Sequence, residues 1–174
     1  MSSDTKARIQ AVARELFAQQ GVQNTSLRQI SERLGITKPA LYYHFASRDD
    51  LVRSIVQPMV DDCERFVNAC EPGIETRRLL EDYFDVIWKH REIIVMVVRE
   101  MSTLAYLDLG RRMFEWRRVL ICLLIGPELT QEQQIRATVA LGGLADCTVE
   151  YANLPLEEVK PAAVEAAAAA LGLK

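Results

Sequence analysis

The sequence contains few residues that interrupt helices, with only eight glycines and six prolines among 174 residues. Glycine and proline are the residues that most disfavour a helix interior, so their scarcity removes the main obstacle to long helices. Aromatic residues are also sparse, at 7%. The 49% of hydrophobic and 26% of charged residues exclude a disordered chain. The composition therefore predicts an all-α fold.

Long hydrophobic runs are missing as well. Residues 93–98 and 119–125 form the longest ones, far below the ~20 residues of a membrane-spanning helix. The first residues lack the apolar stretch of a signal peptide. The four cysteines have no C-x-x-C spacing and apolar flanks, which favours buried, reduced thiols. We expect a cytoplasmic protein without a membrane partner.

Sequence motifs for catalysis are lacking too. No G-x-G-x-x-G, phosphate-binding loop, H-E-x-x-H or G-x-S-x-G pattern occurs. His44 and His90 are the only histidines, neither stands beside a plausible nucleophile, and no residues have metal-ligand spacing. We therefore predict no enzyme activity, no metal site and no cofactor.

The charge is unevenly distributed along the chain. Residues 1–48 carry seven Lys or Arg against three acidic residues, a net +4, although the whole chain carries -3. The remainder therefore carries -7. A basic N-terminal part on an acidic body is typical of a DNA-binding domain, although an asymmetry of this size can also arise by chance.

The hydrophobic spacing in this basic part predicts short helices separated by glycines. Apolar residues recur at helical spacing over residues 4–20, and Gly21 ends that helix. Ser26 and Gln29 have the spacing of a capping box at the start of a second helix. Gly35 ends this second helix after about two turns. Two short helices around such a turn predict a helix-turn-helix.

The third helix, from about Lys38 to Phe45, has the features of a recognition helix. Leu41 and Phe45 share its inner face and can form a small core with Phe17. One helix face cannot bury three consecutive residues, so part of the Tyr-Tyr-His run at 42–44 must face outward. The residues expected to face the major groove are Lys38, Pro39, Ala40, Tyr42, Tyr43 and His44.

Further DNA contacts are expected around this unit. Arg28, on the outer face of the second helix, can reach a base or the backbone, and Thr25, Ser26 and Arg48 can contact phosphates. The alternative is that the aromatic edge at 42–45 binds another protein, which would make the chain a helical adaptor without DNA binding. A DNA-binding activator, in place of a repressor, also remains open.

Residues 21–51 resemble the N-terminal signature of the tetracycline-repressor (TetR) family. The resemblance rests on Thr-Ser-Leu-Arg-Gln-Ile-Ser at 25–31, on Leu-Gly-Ile-Thr-Lys-Pro-Ala-Leu-Tyr-Tyr-His-Phe at 34–45 and on Ser-Arg-Asp-Asp-Leu at 47–51. It implies a homodimeric repressor that binds a palindromic operator on double-stranded DNA and is released by a small-molecule effector. Ala40 differs from the Gly or Thr frequent at that position, but its methyl can contact a thymine methyl.

The resemblance also implies two domains, a helix-turn-helix domain at 1–47 and a helical ligand-binding and dimerisation domain at 48–174. Helices are predicted in the latter at about 48–70, 74–89, 93–98, 107–125, 130–153 and 161–171. An effector of apolar character implies a cavity, for which an ordinary filled core is the alternative. The candidate lining residues are Tyr83, Phe84, Ile87, Trp88, Met96, Met101, Phe114, Trp116, Arg117 and Cys147.

Small residues on the last two helices predict where two copies of the chain meet. Gly142 and Gly143 are unfavourable inside a helix, but they let another helix approach closely. The last helix offers an alanine face. A four-helix interface with a twofold copy would use Val139, Gly142, Gly143, Ala166 and Ala170. The alternative for the alanine-rich end is a frayed helix without a partner.

Overall fold

The computed structural model describes residues 2–100, 105–126, 128 and 130–173, and these residues form helices and no strand. The all-α prediction is confirmed. The helices are α1 (Ser2–Gln20), α2 (Leu27–Leu34), α3 (Lys38–His44), α4 (Arg48–Ala69), α5 (Thr76–Lys89), α6 (Arg91–Arg99), α7 (Leu109–Ile125), α8 (Gln131–Glu150) and α9 (Leu156–Ala170), with a short 3-10 turn at Ala105–Leu107. None of them combines the length and apolar character needed to cross a bilayer.

The residues predicted to begin and end the second helix do so in the structure. The Ser26 hydroxyl accepts a hydrogen bond from the Gln29 backbone N–H (3.2 Å), and the Gln29 side chain accepts one from the Ser26 N–H (2.7 Å). This capping box satisfies two N–H groups that have no helical partner. Gly35 has φ +69°, the left-handed conformation that ends α2 at low steric cost.

The last helix begins earlier than predicted. Pro161 suggested a helix start, yet α9 begins at Leu156 and runs through this proline. Proline removes one backbone hydrogen bond in a helix interior. Val159 and Val164, on either side of it, are buried, and their burial offsets that loss. The other predicted ends agree with the structure within three residues.

The chain divides into two compact units. The first contains Met1–Pro58 and Met96–Leu107, and the second contains Met59–Val95 and Asp108–Lys174. The division falls within α4, whereas the predicted domain boundary precedes that helix; this boundary remains a prediction about function.

The first unit is organised around the predicted small core. Phe17 of α1 is buried together with Ile30, Leu41 and Phe45. The Lys6 ammonium lies 5.7 Å from the centre of the Phe45 ring. This packing holds α2 and α3 against α1, so the orientation of α3 is fixed by apolar contacts on its inner face.

The second unit has a larger apolar core from α4, α5, α7, α8 and α9. Phe84 and Trp88 stack within it, with ring centres 5.4 Å apart. Among the cysteines, Cys122 is exposed, because it lies on the outer side of α7; the expectation of buried thiols was wrong for this residue. Cys63, Cys70 and Cys147 are half-buried and free.

Candidate nucleic-acid interface

The outward face of α3 is the most exposed aromatic surface of the first unit. Leu41 is 0% exposed on the inner face, whereas Tyr43 is 81% exposed and Tyr42 is also largely exposed. The Tyr43 and His44 rings form an edge-to-face pair with centres 5.2 Å apart. The tyrosines therefore face solvent in the free chain.

The remaining predicted residues of α3 lie at the two ends of the helix. Lys38, Pro39 and Ala40 are exposed at its N-terminal end, and His44 is half-buried at the other end. The Thr37 hydroxyl caps the helix by accepting a hydrogen bond from the Ala40 N–H (3.3 Å). The cap fixes the first turn, which is the part of a recognition helix that contacts bases.

An open groove of about 560 Å³ joins α3 to the preceding helix and to the start of α4. Its lining includes six of the residues predicted to bind DNA, namely Thr25, Ser26, Arg28, Lys38, Tyr42 and Arg48. Three of these carry a positive charge, which attracts the phosphate backbone of a nucleic acid.

Two of the predicted phosphate contacts are engaged within the protein. Thr25 is 1% exposed, and its hydroxyl donates to the Gly21 carbonyl (2.8 Å). Arg48 donates to the carbonyls of Val22 (3.3 Å) and Gln23 (3.1 Å). Both side chains hold the turn between α1 and α2, an internal use that the sequence did not reveal.

Arg28 is exposed but held by a neighbour one turn along α2. Its Nε lies 2.6 Å from the Glu32 carboxylate. Hydrogen bonding and attraction to Glu32 raise the pKa of Arg28 above its ordinary value. The pair orients the guanidinium along the surface of α2. A DNA contact by Arg28 therefore has to compete with Glu32 for the same guanidinium.

The residues predicted to line a cavity lie in different units and differ in burial. Phe84, Ile87 and Trp88 belong to the packed core of the second unit, while Met96 is buried in the first unit. Phe114 is 74% exposed on α7, so its prediction as a lining residue was wrong for the single chain. Met101 lies outside the described residues.

Two of the other residues predicted to line the cavity, Tyr83 and Arg117, are polar and half-buried in the second unit. Burial raises the pKa of the Tyr83 hydroxyl to about 12, while the nearby Arg117 guanidinium opposes this shift. Burial, and then the charges of Asp62 and Glu64, raise the pKa of the Cys63 thiol to about 12. Trp116 and Cys147 are half-buried and pack against the apolar core.

The predicted dimer residues lie on α8 and α9, which pack against each other. Val139 is 59% exposed, Gly143 and Ala166 are exposed, and Gly142 and Ala170 are half-buried. A side chain added at Gly142 or Gly143 would meet no atom within 4 Å. Ile135 is exposed one turn before Val139. The sequence analysis did not include it among the dimer residues, although its i, i+4 spacing from Val139 places both on one helix face.

Comparisons with known proteins agree with this arrangement. The family model described as "Bacterial regulatory proteins, tetR family" matches residues 9–55. The HTH-type transcriptional regulator TtgR of Pseudomonas putida is 27% identical over 100 residues, which are 58% of this chain and 44% of TtgR. The chain thus matches less than half the length of this relative, which is a regulator by name and not an enzyme.

Solved structures extend the likeness to nearly the whole chain. A transcriptional regulator (TerR/AcrR family) from Aquifex aeolicus VF5 matches with a TM-score of 0.76 at 22% identity, covering 93% of this chain and 96% of the other. The ketosteroid transcriptional regulator KstR2 of Mycobacterium tuberculosis matches with a TM-score of 0.73 at 20% identity, covering 97% and 93%. At such identities the likeness shows a shared fold.

Proposed function

Because this chain belongs, through its N-terminal segment, to the tetR family of bacterial regulatory proteins, we propose that it is a DNA-binding transcriptional repressor. It acts as a homodimer on a palindromic operator in the cytoplasm and is released by a small-molecule effector. Residues 1–47 form the DNA-binding domain, and residues 48–174 form the ligand-binding and dimerisation domain.

One observation carries the proposal, namely the division of α3 into two faces. Leu41 and Phe45 anchor the helix in the core, so the opposite face is presented as a rigid surface. Lys38 contacts a phosphate or a guanine edge, and Tyr42 and Tyr43 offer hydroxyl groups and apolar ring faces to bases and backbone. Pro39, Ala40 and His44 complete the contact surface.

The residues before α3 position this surface on the duplex. Ser26 and the backbone at the start of α2 contact a phosphate, and Arg28 reaches the groove edge. Thr25 and Arg48 contribute indirectly, because they hold the turn that presents Ser26.

Dimerisation follows from the apolar outer faces of α8 and α9. Ile135, Val139 and Gly143 are exposed at helical spacing on α8, and α9 adds exposed Ala162 and Ala166. Pairing with a twofold copy buries this surface. It also places two α3 helices for successive major grooves, about 34–36 Å apart.

The test is selection of bound sites from a random pool of DNA duplexes at near-physiological salt. Recovery of an inverted repeat supports DNA binding and twofold symmetry together. Affinity for that repeat has to fall steeply with salt, because several phosphate contacts release counterions. A pool without enrichment refutes the proposal and favours a protein-binding adaptor. Tyr42→Ala serves as the matched control in the same selection, since it removes a contact residue without touching the core.

A further inference from the structure

Lys6 lies on the side of α1 that faces α3, although it carries a charge. Lys6, Ala13 and Phe17 are spaced at i, i+7 and i+11, which places them on one face of a helix. Ala13 and Phe17 are buried, whereas Lys6 is exposed, because the buried residues of α1 begin at Ile9. The Lys6 ammonium lies 5.7 Å from the centre of the Phe45 ring. Phe45 is the C-cap of α3, so the charge stands beside the C-terminal end of that helix.

The contact with Phe45 gives this cation a defined position without removing it from water. The face of an aromatic ring attracts a cation, and the Phe45 ring is otherwise buried, with 3% of the residue exposed. A lysine can lay its methylene chain on an apolar surface while its ammonium group stays hydrated. Phe45 directly follows His44, whose ring pairs with that of Tyr43. Lys6 therefore adds a hydrated positive charge at the end of α3 where these two predicted contact residues lie.

Lys6 is also available for an external anion, unlike two of the predicted basic contacts. Arg28 is paired with Glu32, and Arg48 donates to backbone carbonyls. Neither Lys6 nor Lys38 has a carboxylate partner among the residues that the structure describes. The ammonium groups at the two ends of α3 are thus free to neutralise phosphate groups.

The length of α3 separates these two ammonium groups. Lys38 is the first residue of the helix, and Lys6 lies at its other end. Seven residues at 1.5 Å each make a helix about 10 Å long, comparable with the ~12 Å width of the major groove. When α3 lies in that groove, each of its ends is close to a sugar-phosphate backbone. The two lysines can therefore contact different phosphates.

We propose that Lys6 is a further DNA-binding residue, which contacts a backbone phosphate at the C-terminal end of α3. The inference rests on the proposed function in taking α3 as the helix that enters the major groove. Lys6 precedes residues 9–55, which the family model matches, so the contact is added from outside the helix-turn-helix. A phosphate contact carries no base information. Lys6 strengthens binding and fixes the position of α3, while the outer face of α3 contacts the bases.

The test removes the charge of Lys6 and keeps its cover over Phe45. Lys6→Met retains an unbranched apolar side chain, and Lys6→Arg retains the charge. DNA affinity is titrated at several salt concentrations with a duplex that carries the inverted repeat recovered by selection. In Lys6→Met the affinity should fall severalfold at low salt. The steepness with which the logarithm of affinity falls with the logarithm of salt concentration should decrease by about one for each protomer. Lys6→Arg should behave as the wild type.

Arg8→Met is the matched control, because it removes a positive charge from the same helix. Arg8 is exposed and lies about 200° further around α1 than Lys6, so it faces away from α3. Its replacement should leave the affinity and its salt dependence nearly unchanged. Thermal unfolding separates a phosphate contact from a structural role of Lys6. A lower thermal midpoint with unchanged salt dependence in Lys6→Met would mean that Lys6 serves to cover Phe45, and it would overturn the inference.

Ethylation of single phosphates of the duplex identifies the partner of Lys6. Ethylation of one phosphate should weaken binding of the wild type but not of Lys6→Met, because that variant has already lost the contact. This phosphate should differ from the one identified in the same way with Lys38→Ala. If the same phosphates matter to the wild type and to Lys6→Met, the inference is wrong. Lys6→Gln removes the charge by another side chain and takes the place of Lys6→Met if that variant does not fold.

A random-sequence duplex distinguishes failure of this inference from failure of the proposed function. A protein that selects an inverted repeat, but binds it with the same salt dependence with and without Lys6, retains the function and lacks this contact. A protein that selects no repeat, but binds the random duplex with a salt dependence that is weaker in Lys6→Met, retains the contact and lacks the function. Absence of binding to either duplex overturns both.

Discussion

The Arg48 guanidinium donates a hydrogen bond to the Gln23 backbone carbonyl across 3.1 Å. A second bond reaches the Val22 carbonyl. Arg48 is the first residue of α4, and the two carbonyls lie in the turn between α1 and α2. The start of α4 is thereby joined to the segment that precedes the N-terminus of α2.

Replacing Arg48 with alanine should destabilise the first unit by about 1.5 kcal/mol, because two carbonyls lose a charged donor. DNA affinity should fall with it, while the salt dependence of binding stays nearly constant, since the group acts within the protein. Thermal unfolding and operator titrations at several salt concentrations measure these effects. Arg33→Ala, at an exposed position of α2, is the control. If the logarithm of DNA affinity of the Arg48→Ala variant fell less steeply with the logarithm of salt concentration, by about one, Arg48 would instead contact a phosphate.

Substitutions on the two faces of α3 should have opposite effects. Tyr42→Ala should weaken operator binding about tenfold with little change in thermal midpoint, because the ring is largely exposed. Lys38→Ala should reduce by about one the steepness with which the logarithm of DNA affinity falls with the logarithm of salt concentration. Leu41→Ala should instead cost about 3 kcal/mol of stability, because Leu41 is fully buried. Calorimetry and DNA titration of the three variants separate these outcomes; a large loss of stability in Tyr42→Ala would contradict the assignment.

Replacing Gly143 with leucine should disrupt the dimer and spare the protomer. The new side chain meets no atom within 4 Å in the single chain, but it would collide with a helix packed closely on α8. Dimer dissociation should be favoured at least about tenfold, as measured by analytical ultracentrifugation. Gly110→Leu, at an open position of α7, is the matched control. A Gly143→Leu protein that sediments as the wild type does would rule out this interface.

Asp62 should make stability dependent on acidic pH. Hydrogen bonds from Lys89, His90 and Arg65 hold the pKa of the Asp62 carboxyl well below its ordinary value. A depressed folded pKa adds stability that is present above the ordinary carboxyl range and is lost as the pH falls through that range and below it. Asp62→Asn should therefore be less stable than wild type at pH 7, with a difference that shrinks on acidification. Denaturation at several pH values checks this, with exposed Asp146→Asn as the control. A difference that is constant with pH contradicts the assignment.

The residues of the candidate site were predictable where their pattern is local. The run at 42–44 had to place tyrosines outside, because no helix face buries three consecutive residues, and Tyr42 and Tyr43 are exposed. The spacing of Ser26 and Gln29 likewise predicted the start of a helix without any tertiary information. Phe114 shows the opposite case. Nothing in its local sequence distinguishes a lining aromatic residue from an exposed one, since the difference depends on which side of α7 is covered by other helices.

The sequence by itself determined the helical fold, most helix ends and the inner and outer faces of α3, because capping, glycine conformation and hydrophobic periodicity act over a few residues. The tertiary structure alone decided how distant groups are used. It engages Arg48 with the carbonyls of Val22 and Gln23 and pairs Arg112 of α7 with Glu64 of α4. Such pairings depend on the packing of helices that are far apart in the chain, and a single sequence carries no local signal of that packing.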